Sequence, residues 1–190
     1  MANTSATGGY LSPSGAVPVE DAALDAVLQQ AIAGITGLPG AMVRPRWQPT
    51  VPKQPEPTAN WCALGVTRTG PADFPAIEHD GTGDGQSTLH RHEEFDALVS
   101  FYGPAASGYA KTLRDGLYLA QNRETLQAAG IDLIGTSDQT AAPDLINQQW
   151  VRRYDVTLSF RRHVARTYPV LNLLSADPAL VTDAQPSPNP

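Results

Sequence analysis

The sequence has few of the features that announce a chemistry. It holds one cysteine, Cys62, in 190 residues. That excludes an internal disulfide framework and any zinc site built on several cysteines. Basic residues are not in excess: 13 Lys+Arg against 19 Asp+Glu give a net charge of −6. A protein that holds nucleic acid by bulk electrostatics needs the opposite balance. No apolar run approaches the ~20 residues that cross a bilayer. The opening residues, MANTSATGGYLSPSG, lack the basic start and apolar stretch of a signal peptide. The expectation is a soluble chain made in a reducing cytosol, with no membrane partner.

Catalytic motifs are missing too. There is no G-x-S-x-G elbow, and the Gly81-Thr82-Gly83-Asp84-Gly85 stretch lacks the lysine of a phosphate loop. Read as a calcium loop from Asp80, the same stretch puts Arg91 where the bidentate Glu belongs. Cys62 falls within a predicted strand and reads as a packing residue. No cofactor is expected. His79, Asp80, His90 and His92 are the one cluster that could hold a divalent metal, with His90 and His92 at the i, i+2 spacing of one strand face. The plainer reading of that cluster is a solvated strand end.

What is present suggests a folded core with arms. Pro (17) and Gly (16) exceed their usual shares. Residues 1–18 are rich in Ser, Thr, Gly and Pro and read as an extended N-terminal arm; residues 176–190 read as a Pro-rich C-terminal tail. Between them, 19–175 form one domain. Leu24, Val27, Leu28, Ala31 and Ile35 give a helix over 20–35 that stops at Gly37, Pro39 and Gly40. A short strand is predicted in 41–48, before a run holding Pro49, Pro52, Pro55 and Pro57. Residues 61–69 and 90–102 read as a hairpin closed by an acidic, Gly-rich loop over 70–88. A helix over 105–122 follows, then a short one over 123–129 capped by Asn122, and a strand over 131–134. The clearest alternation runs from Gln149 to His163, with Trp150, Tyr154, Val156, Leu158 and Phe160 on one parity. Fifteen extended residues span about 50 Å, far beyond a typical strand, so this one should overhang its sheet. The class is α+β: a mostly antiparallel sheet with helices on one face.

Charge is segregated on that last strand. Arg152, Arg153, Arg161, Arg162 and Arg166 stand together with only Asp155 among them. They are candidates for contact with a DNA backbone or, better suited to an acidic chain, for salt bridges to the acidic 73–96 region of an adjacent copy. An ordinary solvated sheet face is the plain alternative. Trp47, Trp61 and Trp150 are candidate interface aromatics.

Several segments resemble a known family. They are Gly37-Leu38-Pro39-Gly40 running into Val43-Arg44-Pro45-Arg46-Trp47-Gln48-Pro49, Arg91-His92-Glu93-Glu94 leading to Leu98-Val99-Ser100-Phe101-Tyr102, Leu113-Arg114-Asp115-Gly116-Leu117 with Ala120-Gln121-Asn122-Arg123-Glu124, and Tyr168-Pro169-Val170-Leu171-Asn172-Leu173-Leu174. Together, over roughly 17–176, they resemble the neck or tail-terminator proteins of tailed phages and prophages. The resemblance implies a non-enzymatic virion protein at the head–tail joint, tail-terminator-like in fold. It would form a ring with itself (a hexamer, or alternatively a dodecamer) between head-connector or portal-side proteins and tail proteins. Genomic DNA would pass through without sequence specificity. Two alternatives stand beside it: another tail subunit, of tube or baseplate, and a small metal-binding, hydrolase-like domain using His79, Asp80, His90 and His92.

Overall fold

A computed structural model describes residues 3–50, 52–146 and 148–173. The predicted C-terminal tail lies outside the described residues. The order is α1 (Asp21–Thr36), β1 (Val43–Pro45), β2 (Trp61–Pro71), β3 (Ala76–Asp80), β4 (Gln86–Tyr102), α2 (Ala106–Gly116), α3 (Glu124–Ala128), β5 (Ile131–Thr136), β6 (Thr140–Ala141), β7 (Asp144–Ile146), β8 (Gln149–Val151) and β9 (Arg153–Tyr168). Seven strands form one sheet along the path β1-β2-β4-β9-β5, with β3 on β4 and β6 on β9; β7 and β8 pair separately. Only β1 with β2 is parallel. The class is α+β, as the sequence indicates.

The core lies between one sheet face and the helices. Successive strand side chains point to opposite faces, so Phe95, Ala97, Val99 and Phe101 of β4 line up beside Phe160, Leu158, Val156 and Tyr154 of β9. The Phe95 and Phe160 rings lie 5.3 Å apart. Leu24, Leu28 and Ile32 of α1 and Ala106, Ala110 and Leu113 of α2 complete the cluster. Each large side chain buried there contributes about 1.5–3 kcal/mol relative to exposure. α1 ends where Gly37 takes the left-handed conformation, φ 73°, and donates its N–H to the Ala33 carbonyl.

Cys62 is fully buried on this face, and burial pushes its thiol up to about 12. A thiol reagent at mildly alkaline pH should leave the native protein unlabelled and modify one thiol per chain once it is unfolded. Prompt labelling of native protein would contradict the placement.

Five expectations need correction. The predicted helix over 105–122 ends at Gly116. There α1 comes so close that a Cβ on Gly116 would sit 2.6 Å from the Ile35 side chain. Asn122 does not cap the next helix; its side-chain amide donates to the Gly116 carbonyl, 2.9 Å, closing the frayed end of α2. The loop predicted over 70–88 contains β3, whose register on β4 pairs Ala76 with His90 and Asp80 with Gln86. The strand predicted over 41–48 is only Val43–Pro45, because Gly40–Met42 form a single 3-10 turn and Trp47 turns away with φ 55°.

The long final strand is the fifth. Its ladder breaks at Arg152, whose carbonyl accepts a hydrogen bond from Gly103 N–H. Residues 149–151 join β7 instead. Val151 is buried against Ala63 and Tyr102 on the sheet face away from the helices, while Trp150 is 72% exposed. β9 then continues five residues past the predicted end, to Tyr168. Its last third pairs with β4 as far as Ser87, and the N-terminal arm closes the far end: Ser14 N–H donates to Thr167 O, and Ser5 N–H to Pro169 O.

Candidate functional site

β9 carries four of the five clustered arginines, and its alternation divides them between faces. Arg162 and Arg166 lie on the helix side, Arg153 and Arg161 on the open side. Arg162 is 8% exposed. Its Nε and Nη2 donate to Glu93 Oε2 at 3.1 and 2.9 Å, and Nη1 donates to the Val19 carbonyl. Its guanidinium also lies over the Phe95 ring. Arg166 pairs with Glu20 at 2.9 Å. Glu20 precedes α1 yet makes no capping bond with its side chain; its carboxylate instead ties the helix start to β9. On the open face Arg161 meets Glu94 at 3.2 Å. Arg153 donates twice to Asp155, at 2.8 Å each, and lies 3.4 Å from Asp144. Its hydrogen bonds to Asp155 hold it protonated well above the ordinary arginine range.

The acids expected on an adjacent copy, in 73–96, are therefore partly found within the same chain. Glu93 and Glu94 stand directly opposite Arg162 and Arg161 on neighbouring strands. Arg152, at the break in the ladder, is exposed and makes no ion pair among the described residues. Between these pairs, Asp96 accepts from Ser159 Oγ at 2.7 Å and from Arg68 at 3.2 Å. The Ser159 bond first, and Arg68 with it, hold its carboxyl below the usual range.

The aromatic candidates gather at the other end of the sheet. Trp61 stacks on Tyr102, with centroids 4.3 Å apart and planes 7° from parallel, and Arg44 covers the Trp61 ring. Trp47 is 73% exposed. Its ring lies on Gly65, where an added Cβ would meet it at 2.7 Å. A left-handed tryptophan costs backbone strain of roughly 1–3 kcal/mol. Trp150, across the small hairpin from Leu145, points outward with it; both are mostly exposed. Arg44, Arg46, Trp47, Pro52, Trp61 and Tyr102 line a groove of about 660 Å³. Arg46 donates to Ser100 Oγ at its floor, and its buried Nε has no partner. The sequence reading missed Arg44, Arg46, Tyr102 and Leu145 as members of this surface. The Arg-Pro-Arg-Trp run at 44–47 was the available signal.

The metal cluster does not form. Directly opposed residues share a face, so His79, paired with Ser87, lies on the face opposite His90 and His92. Its ring nitrogens meet Ser87 Oγ and Asn172 Oδ1. Asp80 serves the turn, accepting from Thr82 N–H and Oγ1. His90 contacts His163 at 3.1 Å instead. Among the described residues no group of three or more His, Cys, Asp or Glu side chains is placed to hold a metal ion, and no helix is long and apolar enough to cross a membrane.

Comparison with known proteins adds an independent line. A family model described as phage neck terminator protein matches residues 22–183. Among solved structures, a chain of the virion of native gene transfer agent particle is 19% identical, over 76% of this chain and 94% of that one, with a TM-score of 0.27. No curated protein matches the sequence.

Proposed function

Since the chain belongs to the phage neck terminator family, structural proteins of the virion neck, we propose that it assembles side by side into a ring that ends the tail or joins it to the head connector. Packaged DNA passes through the opening. The observation that carries this reading is the aromatic end of the sheet: Trp47, Trp150 and Leu145 stand exposed together, on a chain whose core is already complete. Exposed aromatics grouped in this way mark contact surfaces. Arg152 beside them is an unpaired cation for an acidic neighbour. A chain of net charge −6 lets DNA slide rather than adhere, since phosphate binding needs clustered free cations. Four of the five clustered arginines are instead neutralised internally. The arm of residues 1–18, the domain of 19–175 and the tail of 176–190 then divide the work, with the domain packing sideways and the two ends reaching neighbouring copies or rings.

Purified full-length protein tests this by native mass spectrometry and negative-stain microscopy. Six copies of the 20.2 kDa chain, or twelve, in particles with a central opening are expected. A monomer at every concentration, with and without neck partners, would overturn the ring.

A further inference from the structure

The groove at the aromatic end has no occupant from its own chain among the described residues, although its chemistry is specific. Stacked Trp61 and Tyr102 form one wall and exposed Trp47 another, with Pro52 at the rim and Arg44 and Arg46 supplying positive charge. Flat aromatic walls with cations at the edge suit a proline-rich, acidic extended segment. Such a segment is ordered in advance by its prolines, and its rings stack on aromatic faces. The chain contains such a segment. Residues 174–190 hold Pro178, Pro186, Pro188 and Pro190 with Asp177 and Asp183, and no basic residue.

Geometry decides whose segment it is. Asn172 is fixed at the far end of the sheet: its N–H donates to Asp84 O, and its side chain to Gly81 O and Gly83 O, in the turn before β4. The groove is at Tyr102, the last residue of β4. Sixteen steps of strand separate the two ends, about 54 Å at ~3.4 Å each. Thirteen steps from Asn172 to residue 185 reach only about 40 Å at the ~3.1 Å per residue of a proline-rich chain. The Pro186–Pro190 stretch therefore falls short of its own groove, whereas a neighbour's can enter it.

We propose that this groove receives residues 185–190 of an adjacent copy, so that each subunit is strapped to the next. The inference rests on the ring reading and extends it to a named contact. It is tested on the full chain with two single substitutions, Gln54→Cys at the groove rim and Ser187→Cys in the segment, made separately and mixed under mild oxidation. Buried Cys62 stays in both. A Gln54→Cys/Ser187→Cys disulfide is expected at least tenfold more abundant than the control pair Glu124→Cys with Ser187→Cys, which targets the helix layer. Equal yields, or a link only within a chain carrying both substitutions, would overturn the strap. Native mass spectrometry of the same samples reads ring formation separately. A ring without the link removes this inference alone; loss of both removes the ring as well.

Discussion

Replacing Arg162 with alanine should destabilise the protein by about 3–5 kcal/mol, the usual result of removing one partner from a buried ion pair. Glu93 would be left on the helix side of the sheet without its counter-charge, and the Val19 carbonyl without its donor. Against a typical total of roughly 5–15 kcal/mol, most of the margin goes. Urea unfolding would show a much lower midpoint with a similar slope. The matched control is Arg161→Ala, one residue earlier, whose pair with Glu94 is largely exposed. Exposed pairs contribute about 0–1 kcal/mol. The double replacement Arg162→Met with Glu93→Leu should recover much of the loss, since an apolar pair substitutes for a buried ionic one at little cost. Equal effects of the two single arginine variants would contradict the division of β9 into a structural and a solvated face.

Trp47→Gly should act in the opposite sense on folding and on assembly. Trp47 sits at φ 55°, a conformation glycine adopts without penalty, and its ring is mostly in solvent. Thermal stability of the monomer should stay level or rise slightly. Assembly should weaken by roughly thirtyfold or more per contact, the effect of truncating an interface tryptophan worth about 2 kcal/mol. Dilution of the assembled protein, followed by light scattering, checks this. Trp150→Ala should shift assembly in the same direction. If both variants assemble like the unmodified chain, the aromatic end is not a contact surface.

Much of the fold could be read in advance because its signals are local. α1 shows its apolar stripe and its glycine stop, and the alternation of Phe95, Ala97, Val99 and Phe101 marks the buried face of β4. What stayed hidden depends on register or on distant approach. The pairing of Arg162 with Glu93 exists because positions 69 residues apart fall opposite each other. β3 is polar and flanked by Asp and Gly, so it looks like the loop it interrupts. The alternation through Gln149–His163 continues across Arg152 without a mark, although the chain changes partners there. The aromatic surface joins Trp47, Trp61 and Trp150 from three strands or turns. The sequence named all three tryptophans, but nothing local in it shows that they meet at one end of one sheet. The His79, Asp80, His90 and His92 reading failed for a related reason: an odd number of strand steps separates Ser87, which faces His79, from His90.

The most direct test of a neck function is made in the particle. In a phage carrying this gene with a nonsense codon, negative-stain microscopy of the lysate should show DNA-filled heads beside unattached tails, with joined particles restored when the gene is supplied in trans. Intact, joined particles in the absence of the protein would contradict its role at the head–tail joint.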